Sequence, residues 1–162
     1  PTQDRIKETL FNMLQYDLAD CAFLDLFAGS GGIGIEALSR GAGQAVFVEQ
    51  NEAAVQIVRE NLKITKLEDR AVVMHCDALL ALKRLEGKHR FNLIFMDPPY
   101  DHELEKQMLD YLKTSSLIDK QSTVIIEASL QTDFSYLSEM GYITEKIKEY
   151  KTNKHVFVYR GE

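Results

Sequence analysis

Asp97-Pro98-Pro99-Tyr100 stands directly after the apolar run Leu93-Ile94-Phe95-Met96. Two successive prolines cannot extend a strand ladder, because neither has an N–H and each fixes φ. Pro-Pro alone would read as a strand terminator; the acid before the pair and the aromatic after it give the corner chemical content. The exocyclic amine of a nucleobase is a poor nucleophile, since its lone pair is delocalised into the ring. Two fixed acceptors, the Asp97 carboxylate and the Pro98 carbonyl, would hold its two hydrogens and turn the lone pair toward an electrophilic methyl group. Tyr100 would stack on the base, a contact contributing about 1–3 kcal/mol, with Pro99 beside it on the substrate side. Such an alkylation draws its rate from positioning and preorganised acceptors, and it calls for no metal and no covalent intermediate. Asp97, Pro98 and Tyr100 are therefore the candidate catalytic residues.

A second run, Asp25-Leu26-Phe27-Ala28-Gly29-Ser30-Gly31-Gly32-Ile33-Gly34, follows the first apolar stretch of strand character. Glycine is needed where a backbone turns tightly or lets a ligand approach without a Cβ in the way, and the helix that follows offers its free N–H groups there. Gly29, Gly31 and Gly34 satisfy GxGxxG, which a dinucleotide site shares. This spacing alone indicates a nucleotide-like cofactor and leaves its identity open. Twenty residues after Gly29 comes Glu49, closing Val46-Phe47-Val48, where an acid can accept from both hydroxyls of a ribose. Asp77, after Cys76, is placed either to accept from an adenine amino group or to cap the next helix. The histidines His75, His89, His102 and His155 show no ligand spacing, so no metal site is expected.

These residues need elements to hold them. Ile6, Leu10, Met13 and Leu14 recur at helical spacing, predicting a helix over about residues 2–16. Short apolar runs predict strands at Ala22–Phe27, Ala45–Val48, Ala71–Met74, Leu93–Met96 and Thr123–Ile126. Helical stretches fall between them, at Ile33–Arg40, Glu52–Lys66, Ala78–Leu85, Glu103–Leu112 and Asp133–Met140. Apolar strands alternating with helices indicate a parallel sheet covered on both faces. Tyr142–Tyr150 and His155–Tyr159 then flank a turn, which predicts an antiparallel hairpin. The expected fold is α/β: a doubly wound, mostly parallel, seven-stranded, Rossmann-like sheet ending in that hairpin, within one domain over residues 1–162. In such sheets ligands bind beyond the carboxyl ends of the strands, where both motifs lie.

Composition narrows the class. The chain has 162 residues, 45% hydrophobic and 27% charged, with a net charge of −6 from 19 Lys+Arg against 25 Asp+Glu. Bulk charge therefore does not grip nucleic acid, since phosphate neutralisation needs clustered cations. Lys146, Lys148, Lys151, Lys154 and Arg160 crowd the last seventeen residues, and Arg5 and Lys7 lie near the start. They read either as solvated faces or as a local basic surface. No apolar run approaches the roughly 18 residues of a membrane span, and Cys21 and Cys76 read as buried free thiols. A cytoplasmic protein with no membrane partner is expected.

Together these residues resemble class I methyltransferases and, more closely, the bacterial family of 16S rRNA guanine-N2 methyltransferases. The cofactor run with Glu36-Ala37-Leu38-Ser39-Arg40-Gly41-Ala42 is similar to that family's loop and helix. Pro1-Thr2-Gln3-Asp4-Arg5-Ile6-Lys7-Glu8 with Leu10-Phe11-Asn12 looks like its opening segment, and Asp97-Pro98-Pro99-Tyr100 is like its catalytic corner. The resemblance implies S-adenosylmethionine as cofactor, S-adenosylhomocysteine as product and no metal. Gly29, Ser30 and Gly31 would line the methionine part, Glu49 the ribose, and Asp77 and Ala78 the adenine, with Asp25, Phe27 and Ala28 completing the cofactor set. Thr2, Asp4 and Arg5 would close over the methionine end or meet the RNA, joining Pro99 and Tyr100 on the substrate side. The implied partner is ribosomal RNA within a small-subunit assembly particle, met by a monomer. Family members usually carry a basic stretch ahead of the opening segment, so a chain starting at Pro1 is expected to bind cofactor better than RNA. Asp-Pro-Pro-Tyr is shared with adenine-N6 methyltransferases, against which stands the lack of a segment long enough for target recognition. An NAD-dependent oxidoreductase would share GxGxxG and Glu49 but leave Asp-Pro-Pro-Tyr unexplained.

Overall fold

The structure, a computed structural model, describes residues 2–99 and 103–161. Among the described residues five helices, α1 (Thr2–Met13), α2 (Gly32–Ser39), α3 (Glu52–Thr65), α4 (Ala78–Leu85) and α5 (Leu104–Leu112), surround one sheet. Its strands are β1 (Ala22–Asp25), β2 (Gln44–Glu49), β3 (Ala71–His75), β4 (Leu93–Met96), β5 (Thr123–Ser129), β6 (Tyr142–Glu149) and β7 (Asn153–Arg160). They lie in the order β3-β2-β1-β4-β5-β7-β6. β1 to β5 pair in parallel, and β7 runs antiparallel to both neighbours. The doubly wound sheet with a C-terminal antiparallel hairpin is thus as expected.

Period-two alternation sends successive strand residues to opposite faces, and the sheet carries a core on each. Phe23, Phe47, Phe95, Ile125 and Phe157 face one side, against Leu10 and Phe11 of α1, Leu38 of α2 and Val58 of α3. Leu24, Val46, Ile94, Ile126 and Val158 face the other, against Leu82 of α4 and Leu109 of α5. Because parallel strands share one direction, Asp25, Glu49, Asp77 and Asp97 all come out at the same edge. The order reverses between β1 and β4, and a crevice opens there.

Beyond shifts of one or two residues at strand and helix ends, three elements differ from the sequence reading. α1 stops at Met13 rather than Tyr16, because the chain turns to bury Leu14 and Leu18 and leaves Tyr16 90% exposed. The helix expected at Asp133–Met140 is a single 3-10 turn, Ser135–Leu137. Asp133 accepts from the backbone N–H of Ser135 at 2.9 Å and from its hydroxyl at 3.1 Å; such local bonding competes with helix formation. β5 runs to Ser129, past the expected end at Ile126, because β7 continues its pairing as far as Ser129↔Asn153. That extension makes Glu127 a strand residue at the functional edge.

Candidate active site

The glycine loop begins where β1 ends. The Asp25 side chain is buried beneath it and accepts from the N–H of Gly34 at 3.1 Å. Gly29 and Gly31 take positive φ values of 56° and 87°, which side chains rarely adopt. Gly34 is required for a different reason: a Cβ there would strike the Phe47 ring, with Cζ at 2.7 Å and Cε2 nearer still. The third glycine thus lets α2 lie against β2. Glu49 ties the loop down, since its Oε1 accepts from Gly29 N–H at 2.8 Å and its Oε2 from Asn51 N–H at 2.9 Å. Each carboxylate oxygen has a second lone pair, so two acceptor sites remain for a ribose.

Asp77 caps α4, accepting from Leu80 N–H at 3.1 Å. That capping reading is therefore realised, and it leaves Oδ1 for a ligand. Cys76, expected to be buried, is half-buried on the cleft wall; Cys21 is buried, and burial pushes its thiol up to about 11.

Two adjoining compartments line this edge. The first, about 700 Å³, is bordered by Glu49, Asp77, Ala78, Pro98 and Pro99. The second, about 610 Å³, is bordered by Asp25, Ala28, Ser30, Thr2, Asp4 and His155. Gln3, Phe27, Gly29, Asp97 and Glu127 border both. Each lies within the usual size of a small-molecule site. Asp97 faces the junction; although water reaches it, the enclosing walls and then the Glu127 carboxylate push its pKa up to about 7. Asp25 is also pushed up to about 7, by burial above all, against the lowering effect of the Gly34 N–H.

The structure brings together nearly all the expected site residues. Gly31 lies behind the loop, packed near Val58 and Phe47 rather than on the cleft surface. Arg5 is exposed on α1 and is not among the residues bordering either compartment, whereas Thr2 and Asp4 are. Tyr100 and His102, together with Pro1, lie outside the described residues.

Sequence reasoning missed Gln3, Glu127 and His155. Glu127 had a signal, being the one acid in the otherwise apolar run Val124–Ala128. His155 had none, because only the β5–β7 register places it opposite Glu127.

The C-terminal cations divide in two. Arg160 is spent on the carbonyls of Leu112, Ser115 and Ile118, and Lys154 on those of Leu130 and Thr132. Lys151 is exposed between β6 and β7, and Lys146 and Lys148 are exposed on β6. A bulge between Thr144 and Lys146 turns both onto the face of Phe157 and His155, their partners in register. Without it Lys146 would share the face of Thr144. Bulges re-aim side chains in this way, and here they point to the side on which α1 and the second compartment lie.

Residues 1–160 match the protein family described as conserved hypothetical protein 95. A Bacillus subtilis protein carrying a provisional rRNA methyltransferase name is 40% identical over 131 residues, which are 78% of this chain and 70% of that one. Ribosomal RNA small subunit methyltransferase D of Haemophilus influenzae is 34% identical over 128 residues, 78% of this chain and 66% of its own length. The chain therefore spans about two thirds of the length of these curated relatives. A conserved hypothetical protein of Streptococcus pyogenes superposes with a TM-score of 0.86 at 33% identity, covering 95% of this chain and 94% of that one. The architecture recurs in an RNA methyltransferase of Salinibacter ruber solved with S-adenosyl-L-homocysteine (TM-score 0.76, 16% identity, 100% and 95% covered).

Proposed function

This chain belongs to the conserved hypothetical protein 95 family, and from that premise we propose that it moves a methyl group from S-adenosylmethionine to the exocyclic N2 amino group of a guanine in 16S ribosomal RNA. The observation that carries the reading is that Asp97 borders both compartments while Pro98 and Pro99 border the first, whose size suits an adenosyl group. The relatives named as rRNA methyltransferases support the substrate class.

The donor set favours S-adenosylmethionine over a dinucleotide. Asp25, Asp97, Glu127 and Asp4 present carboxylates to the second compartment, whose one described Lys or Arg is Lys7, itself 3.8 Å from Glu36. None of the described residues bordering the first compartment is Lys or Arg. A pyrophosphate would meet repulsion there, whereas a sulfonium and an ammonium would be attracted. Glu49 would hold the ribose, Asp77 and Ala78 the adenine edge, and Gly29 the chain, for no protein atom lies within 4 Å of where its Cβ would stand.

S-adenosylmethionine supplies an activated methyl group, so the protein's task is orientation. Asp97 and the Pro98 carbonyl accept the two amine hydrogens and aim the lone pair; Pro99 borders the base, and Tyr100 stacks on it by the sequence argument. Thr2 and Asp4 border the second compartment, while Arg5, exposed on the same helix, is available to RNA. The substrate on this reading is ribosomal RNA in a small-subunit assembly particle, met by a cytoplasmic monomer. Among the described residues no helix is long and apolar enough to cross a membrane.

The test is transfer of labelled methyl to undermethylated small ribosomal subunits, followed by nucleoside analysis. Label in N2-methylguanosine is expected. Label in N6-methyladenosine would replace the base assignment, and tight nicotinamide-dinucleotide binding without transfer would replace the enzyme class.

A further inference from the structure

We propose that Glu127 and His155 are positioning residues for proton removal from the target amine: Glu127 takes over, from Asp97, the proton that the methylated nitrogen releases, and His155 fixes Glu127 for that task. This rests on the methyl-transfer reading above. Asp97, Glu127 and His155 stand in a row across three adjacent strands. Met96 of β4 pairs with Ile126 of β5, which puts Asp97 level with Glu127, and Glu127 pairs with His155 of β7. All three follow the parity of Phe95, Ile125 and Phe157, so they share one face of the sheet.

The contacts in the row are specific. Glu127 Oε1 lies 2.7 Å from His155 Nε2. A carboxylate oxygen accepts, so Nε2 donates to it, and Nδ1 lies 3.3 Å from the Tyr150 hydroxyl. The imidazole is 1% exposed and is edge-on to Phe95 and Tyr150, with ring centroids 5.9 and 5.1 Å away. It cannot swing away from Glu127 without disturbing that packing. Ile125 and Phe157, which flank the pair toward the core on this face, are apolar. A buried imidazole held against a partly exposed carboxylate is no clear gain for stability over an apolar pair of similar size. Glu127's position on the wall of both compartments gives the pair a use.

That use follows from the balance of the reaction. As the nitrogen–carbon bond forms, the carbon–sulfur bond breaks and its electron pair stays on sulfur. The nitrogen is left with one proton too many. Asp97, already holding one of the amine hydrogens, receives that proton and the N–H electron pair returns to nitrogen. The proton then passes to Glu127, which is partly exposed to the cleft, and on to water. His155 keeps its own proton throughout. Glu127 also makes Asp97 a stronger base, since its negative charge adds to burial in raising Asp97's proton affinity. A base poised near neutral pH suits this step. Among the described residues, the other charged or titratable groups around Asp97 are Asp25 on β1, Glu49 on β2, Cys76 and Asp77 after β3, Tyr150 before β7, Lys148 opposite His155 on β6, and Asp4 and Lys7 on α1.

Two measurements test this. In the protein alone, carbon-13 NMR of labelled aspartate carboxyls follows the Asp97 titration in wild type, Glu127→Gln, His155→Gln and His155→Leu. With small subunits, single-turnover transfer is followed against pH in the same four proteins. Glu127→Gln is expected to move the Asp97 titration and the acid limb of transfer to lower pH together. It should also slow transfer about tenfold at pH 8, with the cofactor Kd unchanged within about twofold. His155→Gln, which keeps an N–H toward Glu127, should stay near wild type, while His155→Leu loses rate as Glu127→Gln does. An active wild type whose Asp97 titration and acid limb are unmoved in Glu127→Gln would overturn the inference alone. So would equal losses in His155→Gln and Glu127→Gln. A wild type that binds S-adenosylmethionine but transfers nothing to the subunits would overturn the functional reading, and this inference with it.

Discussion

Gly34→Ala adds one methyl group, at the third position of α2. Built on the backbone as it stands, that methyl would lie 2.7 Å from Cζ of Phe47 and 3.0 Å from Cδ2, with Cε2 closer. Ordinary carbon–carbon contact is about 3.5–4.0 Å, so helix and ring must part by an ångström or so. The ring cannot yield cheaply, because Phe47 is fully buried in the core between the sheet and α2 and α3. Overpacking of this kind costs about 1–3 kcal/mol. Against it stands the gain from replacing glycine by alanine within a helix, about 0.5–1 kcal/mol. At the midpoints of these ranges the net is a loss of about 1 kcal/mol, or a fall in Tm of roughly 2–4 °C for a domain this size. The same displacement would stretch the bond from Gly34 N–H to Asp25, now 3.1 Å, so the cofactor Kd should rise severalfold as well. Gly32→Ala is the internal control: it lies two residues earlier in the same helix, has no positive φ, and its Cβ would meet nothing within 4 Å. It should leave Tm unchanged or raise it slightly. Calorimetric Tm and cofactor titration of the two variants decide the matter. Equal stability of Gly34→Ala and Gly32→Ala would refute the close-packing account of the third glycine.

Asp97→Ala should cut methyl transfer by about 100-fold or more while the cofactor Kd, measured calorimetrically, changes little; near-normal turnover would remove the amine-holding role. Asp25→Asn tests the buried acid through pH. Its folded pKa is raised, so the native state binds the proton more tightly than the unfolded chain, and the stability this contributes is full below about pH 4 and lost as pH rises through about 7. Asparagine still accepts from Gly34 but carries no charge, so the variant's Tm advantage over wild type should be larger at pH 8 than at pH 5; a pH-independent difference would contradict the assignment. Lys146→Gln and Lys148→Gln, on the face set by the bulge, should each make the dependence of RNA affinity on log salt shallower by about 0.7–0.9. A filter-binding salt series showing no change in slope would place the RNA elsewhere.

Much of this site was legible because its motifs are local. Asp97-Pro98-Pro99 breaks a strand whatever surrounds it, since the cause is covalent, and the glycine loop answers to backbone sterics within a few residues. Alternation of apolar runs and helical periods was enough for the parallel sheet, and a parallel sheet brings the ends of β1, β2, β3 and β4 to one edge. Errors fell where local signals compete. Phe134, Tyr136 and Leu137 supply apolar spacing for a helix, but Asp133 bonds to Ser135 and holds the segment to a single turn.

The sequence by itself therefore determined most of the elements and the sheet edge at which the candidate residues Asp97, Glu49 and the glycines stand, because each rests on signals within a short stretch of chain. Tertiary structure alone decided what lies beside them. Phe47 explains Gly34 only once α2 rests on β2. Glu127 and His155, separated by 28 residues, meet because the antiparallel register of β5 and β7 sets one opposite the other. Lys146 and Lys148 take their face from one bulged residue. Strand pairing converts a shift of one residue into a change of face, and hydrophobic periodicity in a single strand does not record its partner's register.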